Sequence, residues 1–243
     1  MPAVSVIIPC YNQERYISEC LDSLNMQTFK DFEAIIIDDG STDNSAQIVR
    51  LYTDKYPNFS MISQQNKGVV SARNFSIAHA KGEYIFPLDA DDIIAPTALE
   101  KLVAAIKAGK GDIITSRVEM FGKKTGELKL KYPNKYNLSK NNCLVNSSLF
   151  RKADFEKSGG YDSEFNLGLE DYDLWLNMVL NQKLKIYRIP EILFFYRIKN
   201  ITESRNLQQI QLHNNILLKK LKRKYPQMFF YRIFRKITKY FTD

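Results

Sequence analysis

Carboxylates grouped with turn-forming residues mark the places in this chain where chemistry could be done. Asp89-Ala90-Asp91-Asp92 follows the apolar run Tyr84 to Leu88, and acids so placed either cap the next helix or bind a hard cation. On extended backbone Asp89 and Asp91 point to one side, so a cation and a ligand could share them. The cluster offers only oxygen, which suits Mg²⁺ or Mn²⁺ and argues against zinc. An octahedral ion with few protein ligands keeps positions for water and phosphates, a gap that a nucleoside diphosphate fits. Two further groups stand out: Asp38-Asp39-Gly40-Ser41-Thr42-Asp43, a cluster of turn formers and helix N-caps, and Glu170-Asp171-Tyr172-Asp173. The acids of the last group complement the macrodipole in the first turn of a helix.

The elements that position these groups follow from periodicity. Val4 to Ile8 and Phe32 to Ile37 are continuous apolar runs, each followed by a segment of helical spacing (Ile17, Cys20, Leu21, Leu24; Ala46, Ile48, Val49, Tyr52). Phe59 to Ile62 with Val69 to Ala80 makes a third unit, and Tyr84 to Leu88 a fourth strand before a helix from about Pro96 to Ala108. Strands alternating with helices at this spacing predict a mostly parallel α/β sheet flanked by helices, with ligands at the carboxyl ends of its strands. Three of those ends, Pro9-Cys10-Tyr11-Asn12, Asp38-Asp39-Gly40 and Asp89 to Asp92, bring polar groups to one edge. Further on, Asp112 to Arg117 reads as a strand, Lys123 to Lys140 as a surface loop, and residues 169 to about 181 as a helix. Leu184 to Ile189 and Ile192 to Ile198 read as two short strands joined through Pro190-Glu191.

The formal charge of +8 sits entirely in the tail: after residue 210 there are nine Lys or Arg against Asp243 alone, and the rest of the chain is balanced. A nucleic-acid partner for the whole protein is therefore not indicated. Cys10, Cys20 and Cys143 lack C-x-x-C spacing, which fits a reducing compartment and neither a zinc site nor a disulfide framework. The opening run is too short for a signal peptide, and no apolar run reaches the ~20 residues that span a bilayer. The expectation is a cytoplasmic protein, free or peripheral at the inner face of the membrane.

Taken together, Val6-Ile7-Ile8-Pro9-Cys10-Tyr11-Asn12, Ile37 to Asp43, Asn66-Lys67-Gly68 with Ala72-Arg73-Asn74, Leu88 to Asp92, and Gly168-Leu169-Glu170-Asp171-Tyr172-Asp173-Leu174-Trp175 resemble glycosyltransferase family 2, in the family's order and over residues 3 to 200. The resemblance implies a GT-A fold, with a nucleotide-sugar-binding half at about 1–110 and an acceptor and catalytic half at about 111–205, and a helical appendage at 206–243. It implies inverting transfer of a sugar from a nucleotide sugar, UDP-linked in the first instance, to a saccharide or lipid-linked saccharide during surface polysaccharide synthesis. By the same resemblance Pro9 and Tyr11 line the base, Asp39 accepts from a uracil-like N3–H, Arg73 lies near the nucleotide, Asp89 faces the ribose, and Asp91, beside Asp92, holds Mn²⁺ or Mg²⁺ against the diphosphate. Asp171 is then the base that removes the acceptor proton, with Glu170 and Asp173 as neighbours that raise its proton affinity.

One position departs from the family pattern: Lys199 stands where a metal-ligating His is common. An ammonium cannot ligate a cation. Either Lys199 meets the diphosphate as a point charge, or water replaces the imidazole on a loosely held metal, or the lysine is solvated. In the tail, Phe230, Ile233, Phe234, Ile237 and Phe241 lie opposite Arg232, Arg235, Lys236 and Lys239. A basic amphipathic helix of this kind at 226–243 suits an anionic bilayer surface, and equally the protein core or a second subunit in a homodimer. Two other classes stand beside the leading one. A metal-dependent nucleotidyltransferase would need a Gly-rich phosphate loop, which is missing, and a non-catalytic nucleotide-sugar or membrane-binding module would not need Asp91 and Asp171.

Overall fold

The computed structural model describes residues 1–166, 168–199 and 207–228. Its strands and helices run β1 (Val4–Cys10), α1 (Ile17–Asn25), β2 (Phe32–Asp38), α2 (Ser45–Lys55), β3 (Phe59–Ser63), α3 (Val69–His79), β4 (Tyr84–Pro87), β5 (Ile93–Ile94), α4 (Ala98–Lys107), β6 (Ile113–Gly122), β7 (Gly126–Glu127), α5 (Lys135–Leu138), β8 (Leu149–Arg151), α6 (Lys152–Ser158), α7 (Glu170–Leu176), β9 (Ile186–Ile198) and α8 (Leu207–Lys224). One sheet takes the order β3-β2-β1-β4-β8-β6-β9-β5, with β7 on β6.

The first half is the expected parallel α/β unit. β1 pairs in parallel with β2 and β4, and β2 with β3. β1 is apolar almost throughout because it lies between two strands with helices covering both faces. Its buried exception, Ser5, donates to Glu33 at 2.6 Å and accepts from the Gly82 amide at 2.8 Å. Beyond β4 the direction reverses: β8 runs antiparallel to both β4 and β6, and β6 and β9 are parallel again. The sheet is thus mixed, with flanking helices.

Two boundaries differ from the sequence expectation. The two strands read on either side of Pro190-Glu191 are one strand, β9, whose register on β6 steps from Ser116–Ile189 to Arg117–Ile192. The proline and its neighbour form a bulge, which lets a strand keep its direction past a residue that cannot donate. The Lys123 to Lys140 loop contains the short β7 and α5. The helix at 169 to 181 begins at Glu170 and ends in a π-helical stretch, Asn177–Asn181.

α8 packs on the body: Leu217 and Leu221 are buried in the second of two hydrophobic cores, with Tyr225 and Met228, whereas Ile216 is 49% exposed. The amphipathic stretch expected at 226–243 falls, from residue 229 onward, outside the described residues. No helix among the described residues is long and apolar enough to cross a membrane.

Candidate active site

The polar edge is assembled by loops that follow β1, β2 and β4. The turn after β1 is zipped to the turn after β2: Asn12, at φ 52°, accepts from the Thr42 amide at 2.8 Å, its own amide donates to Ser41 at 3.1 Å, and the Glu14 amide donates to Asp43 at 3.0 Å. Asp39 organises the next loop. Its carboxylate accepts from the Gln64 amide group at 2.7 Å and from the backbone N–H groups of Lys67 and Gly68, both at 2.9 Å. A carboxylate has about four acceptor positions, so one remains on Asp39. Gly68 suits this position, since its φ of 85° is one that residues with a Cβ rarely adopt.

These loops enclose a cleft of about 650 Å³ lined by Pro9, Tyr11, Asp39, Arg73, Asp89 and Asp91 among others. All six residues assigned to donor and metal binding therefore face one space. Tyr11 is 45% exposed, leaving its ring free to stack. A second cavity, of about 430 Å³, is lined by Asp92, Asn142, Asn146, Glu170, Asp171 and Tyr196, and it shares Arg73 and Asp89 with the first.

Arg73, on α3, is only 3% exposed and reaches Asp89 and Glu170 at 2.7 Å each. Burial works against its charge, but Asp89, the Tyr161 phenol and Glu170 outweigh that and hold its pKa above the ordinary guanidinium range. Both arms of the fork are engaged by carboxylates, and its Nε has no hydrogen-bond partner among the described residues. Arg73, expected near the nucleotide, lines both cavities and joins the two halves of the site.

Asp171 lines the second cavity, where it accepts from the Asn142 side chain at 3.0 Å and from the Tyr172 amide at 2.7 Å. Burial, then the Glu170 charge, raise its pKa to about 7, against a smaller opposing effect of Arg73. Glu170 stands beside it, fixed by Arg73. Asp173 does not join them. Two residues along a helix is more than half a turn, and Asp173 is buried on the far side, accepting from Lys224 and from the Tyr225 hydroxyl at 2.9 Å each. Its expected part in catalytic support becomes an anchorage of α7 to α8.

The end of β9 is stitched to the Asp89 to Asp92 turn. The Arg197 amide donates to Asp92 at 2.8 Å, its guanidinium donates to the Asp91 carbonyl at 2.7 Å and to Glu19 at 2.8 Å, and Lys199 Nζ lies 2.7 Å from Asp91 Oδ2. Asp92 is buried, and burial with the Asp91 and Asp89 charges raises its pKa well above the carboxylate range. Of the acids of this turn, then, Asp89 is paired with Arg73, Asp91 with Lys199, and the buried Asp92 is held by the Arg197 amide. Among the described residues no three His, Cys, Asp or Glu side chains gather into a group that could hold a metal. Asp91, the carboxylate assigned to Mn²⁺ or Mg²⁺, is thus already engaged by an ammonium, which has no lone pair to offer a cation.

Sequence reasoning missed Gln64, Asn142, Asn146 and Tyr161. Tyr161 donates to Asn146 at 3.1 Å, and Asn74 of the motif after Gly68 clamps the Tyr161 backbone through two hydrogen bonds. Only the Asn74 motif offered a signal. The three cysteines are free and buried.

The mixed α/β sheet with its flanking helices is similar to that of solved GT-A glycosyltransferases. The structure of S. aureus TarS residues 1–349 in complex with UDP matches 82% of this chain and 61% of that one, with a TM-score of 0.68 and 25% identity. A mannosyltransferase of Pyrobaculum calidifontis, in complex with GDP-Man and Mn²⁺, shares the fold with a TM-score of 0.69 at 18% identity, over 93% of this chain and 64% of that one. The family model for glycosyl transferase family 2 matches residues 5–161, and the chain belongs to that family. The minor teichoic acid biosynthesis protein GgaB of Bacillus subtilis is 32% identical over 209 residues, 80% of this chain but 23% of that protein. The uncharacterized glycosyltransferase MJ1057 of Methanocaldococcus jannaschii is 33% identical over 82% of this chain and 72% of its own.

Proposed function

We propose that the chain transfers a glycosyl group from a nucleoside diphosphate sugar, with uridine as the base, to a hydroxyl of a saccharide or lipid-linked saccharide during synthesis of a surface polymer, with inversion at the anomeric carbon. The observation that carries this reading is the meeting of two cavities at Arg73 and Asp89, with nucleotide-suited residues on one side and Asp171 on the other. The UDP complex of TarS and the teichoic acid relative support the choice of base and acceptor class.

In this reading the base stacks on Tyr11 beside Pro9, the remaining acceptor position of Asp39 takes the uracil N3–H, and Asp89 faces the ribose. The acceptor oxygen forms its bond to the anomeric carbon from the face opposite the diphosphate. The bond to the phosphate oxygen breaks, and the electron pair leaves with the nucleoside diphosphate. The acceptor proton passes to Asp171, whose raised pKa matches a base working near neutrality. Arg73 holds Glu170 beside it in an ion pair at 2.7 Å.

A thermal-shift screen of nucleotides and nucleotide sugars tests the reading. A ligand at a hundred times its Kd adds about 2.7 kcal/mol to native stability, so uridine diphosphates should raise Tm. A response to guanosine nucleotides alone would move the base assignment. No response to any nucleotide would remove the proposal, and equal stabilisation by nucleoside triphosphates with pyrophosphate release would favour nucleotidyl transfer.

A further inference from the structure

We infer that Lys199 is the built-in cation of the donor site: its ammonium takes the place of a divalent metal at Asp91 and carries the charge that meets the nucleoside diphosphate. The inference rests on the reading of the cleft as a donor site. It departs from the metal dependence that the family resemblance implies.

The geometry begins with the chain. Arg197 is fixed to the 89–92 turn by its amide and its guanidinium, and on extended backbone the side chain two residues on lies to the same side. Lys199 is thereby delivered to Asp91, at 2.7 Å from Oδ2, and it also donates to Gln13 at 2.9 Å and lies 4.9 Å from the Tyr16 ring centre. A carboxylate, an amide oxygen and an aromatic face together hold an ammonium as a defined charge.

Position makes that charge useful. Lys199 borders a hollow lined also by Tyr11 and Gln13, and Tyr11, Gln13 and Asp91 line the donor cleft itself. The ammonium therefore sits at the seam of the cleft, beside the carboxylate where the resemblance puts the diphosphate. A divalent ion on the same oxygen of Asp91 would meet a positive charge at hydrogen-bond distance and gain no lone pair from it. With Arg73 shared between Asp89 and Glu170, the Lys199 ammonium is the cation held at the Asp91 carboxylate. Lysine is a common phosphate partner, acting as a point charge.

The test is calorimetric titration of the full chain with UDP and, separately, with uridine, in excess EDTA and in MnCl₂. The expected result is UDP binding in EDTA within about twofold of that in Mn²⁺. Lys199→Ala should weaken UDP about tenfold or more and leave uridine unchanged, the size of a lost hydrogen bond to a charged group. Lys199→Arg, which keeps the charge, should retain most of the affinity, and the melting temperatures of both variants check their folding. Lys199→His should make UDP binding Mn²⁺-dependent by supplying an imidazole. UDP binding by the wild type only in Mn²⁺ would overturn the inference and leave the donor-site reading standing. Parallel losses of UDP and uridine in Lys199→Ala would reduce Lys199 to a structural role. Failure to bind any nucleoside diphosphate in either buffer would remove the donor site and the inference with it.

Discussion

Arg73 Nη1 and Glu170 Oε1 meet at 2.7 Å across 97 residues of sequence, and the other arm of the same guanidinium holds Asp89. One buried side chain thus spans the nucleotide half and the acceptor half and fixes a carboxylate in each. Removing one partner from a buried ion network leaves the others uncompensated, which costs roughly 3–5 kcal/mol. Arg73→Ala should lose stability on that scale in urea unfolding. Arg73→Lys should recover little, because one ammonium cannot serve two carboxylates in a fork.

Asp171 supplies two predictions from one pKa. Asp171→Asn should keep nucleotide-sugar binding and abolish transfer, and near-normal turnover would remove Asp171 as the base. In the wild type the base must be ionised, so kcat should rise with pH along an acid limb centred near 7.

The same shift acts on stability with a definite sign. Folded Asp171 holds its proton more tightly than the unfolded carboxyl, so the native state binds more protons between about pH 4 and 7, and stability falls as pH rises through that window. Asp171→Asn removes the cost of ionising a buried acid. The variant should therefore melt higher than wild type at pH 8 and close to it at pH 4, as measured by thermal unfolding at both.

The contact of α8 with α7 gives another. Tyr225 is fully buried and donates to Asp173, two residues along α7 from Asp171. Tyr225→Phe leaves a buried carboxylate short of a donor and should cost about 1–3 kcal/mol in urea. The variant should lose kcat more than affinity for UDP, because the donor cleft does not involve α8.

The basic tail makes a location test. Each Lys or Arg near an anionic bilayer contributes about 1 kcal/mol, so vesicles containing anionic lipid should co-sediment the full chain and release it in high salt. Equal sedimentation of a chain lacking residues 226–243 would sink the membrane role and leave packing on the core or on a second copy.

Much of this arrangement was legible in sequence because it is local. The apolar runs before Pro9, Asp38 and Asp89 end at one sheet edge, and the periodicity placed Glu170 to Asp173 at a helix start. What was hidden depends on partners far apart in the chain. Sequence places Arg73 near the nucleotide but does not show its two carboxylates, and Asp173 reads as a neighbour of Asp171 until Tyr225 holds it inward. Pro190 breaks a strand in a propensity reading, whereas pairing with β6 carries the strand through a bulge. Asn142 and Asn146 lie in a stretch with no periodicity and no motif, and only the closure of the second cavity gives them a place.

The proposed activity is transfer with inversion from a nucleoside diphosphate sugar. Its most direct test is proton NMR of slow donor hydrolysis, with water as acceptor and a uridine-linked α-sugar as donor. The first sugar released should carry the β configuration, before mutarotation, and Asp171→Asn should release none. Initial release of the α-anomer, or no turnover of any nucleotide sugar, would contradict the proposed activity.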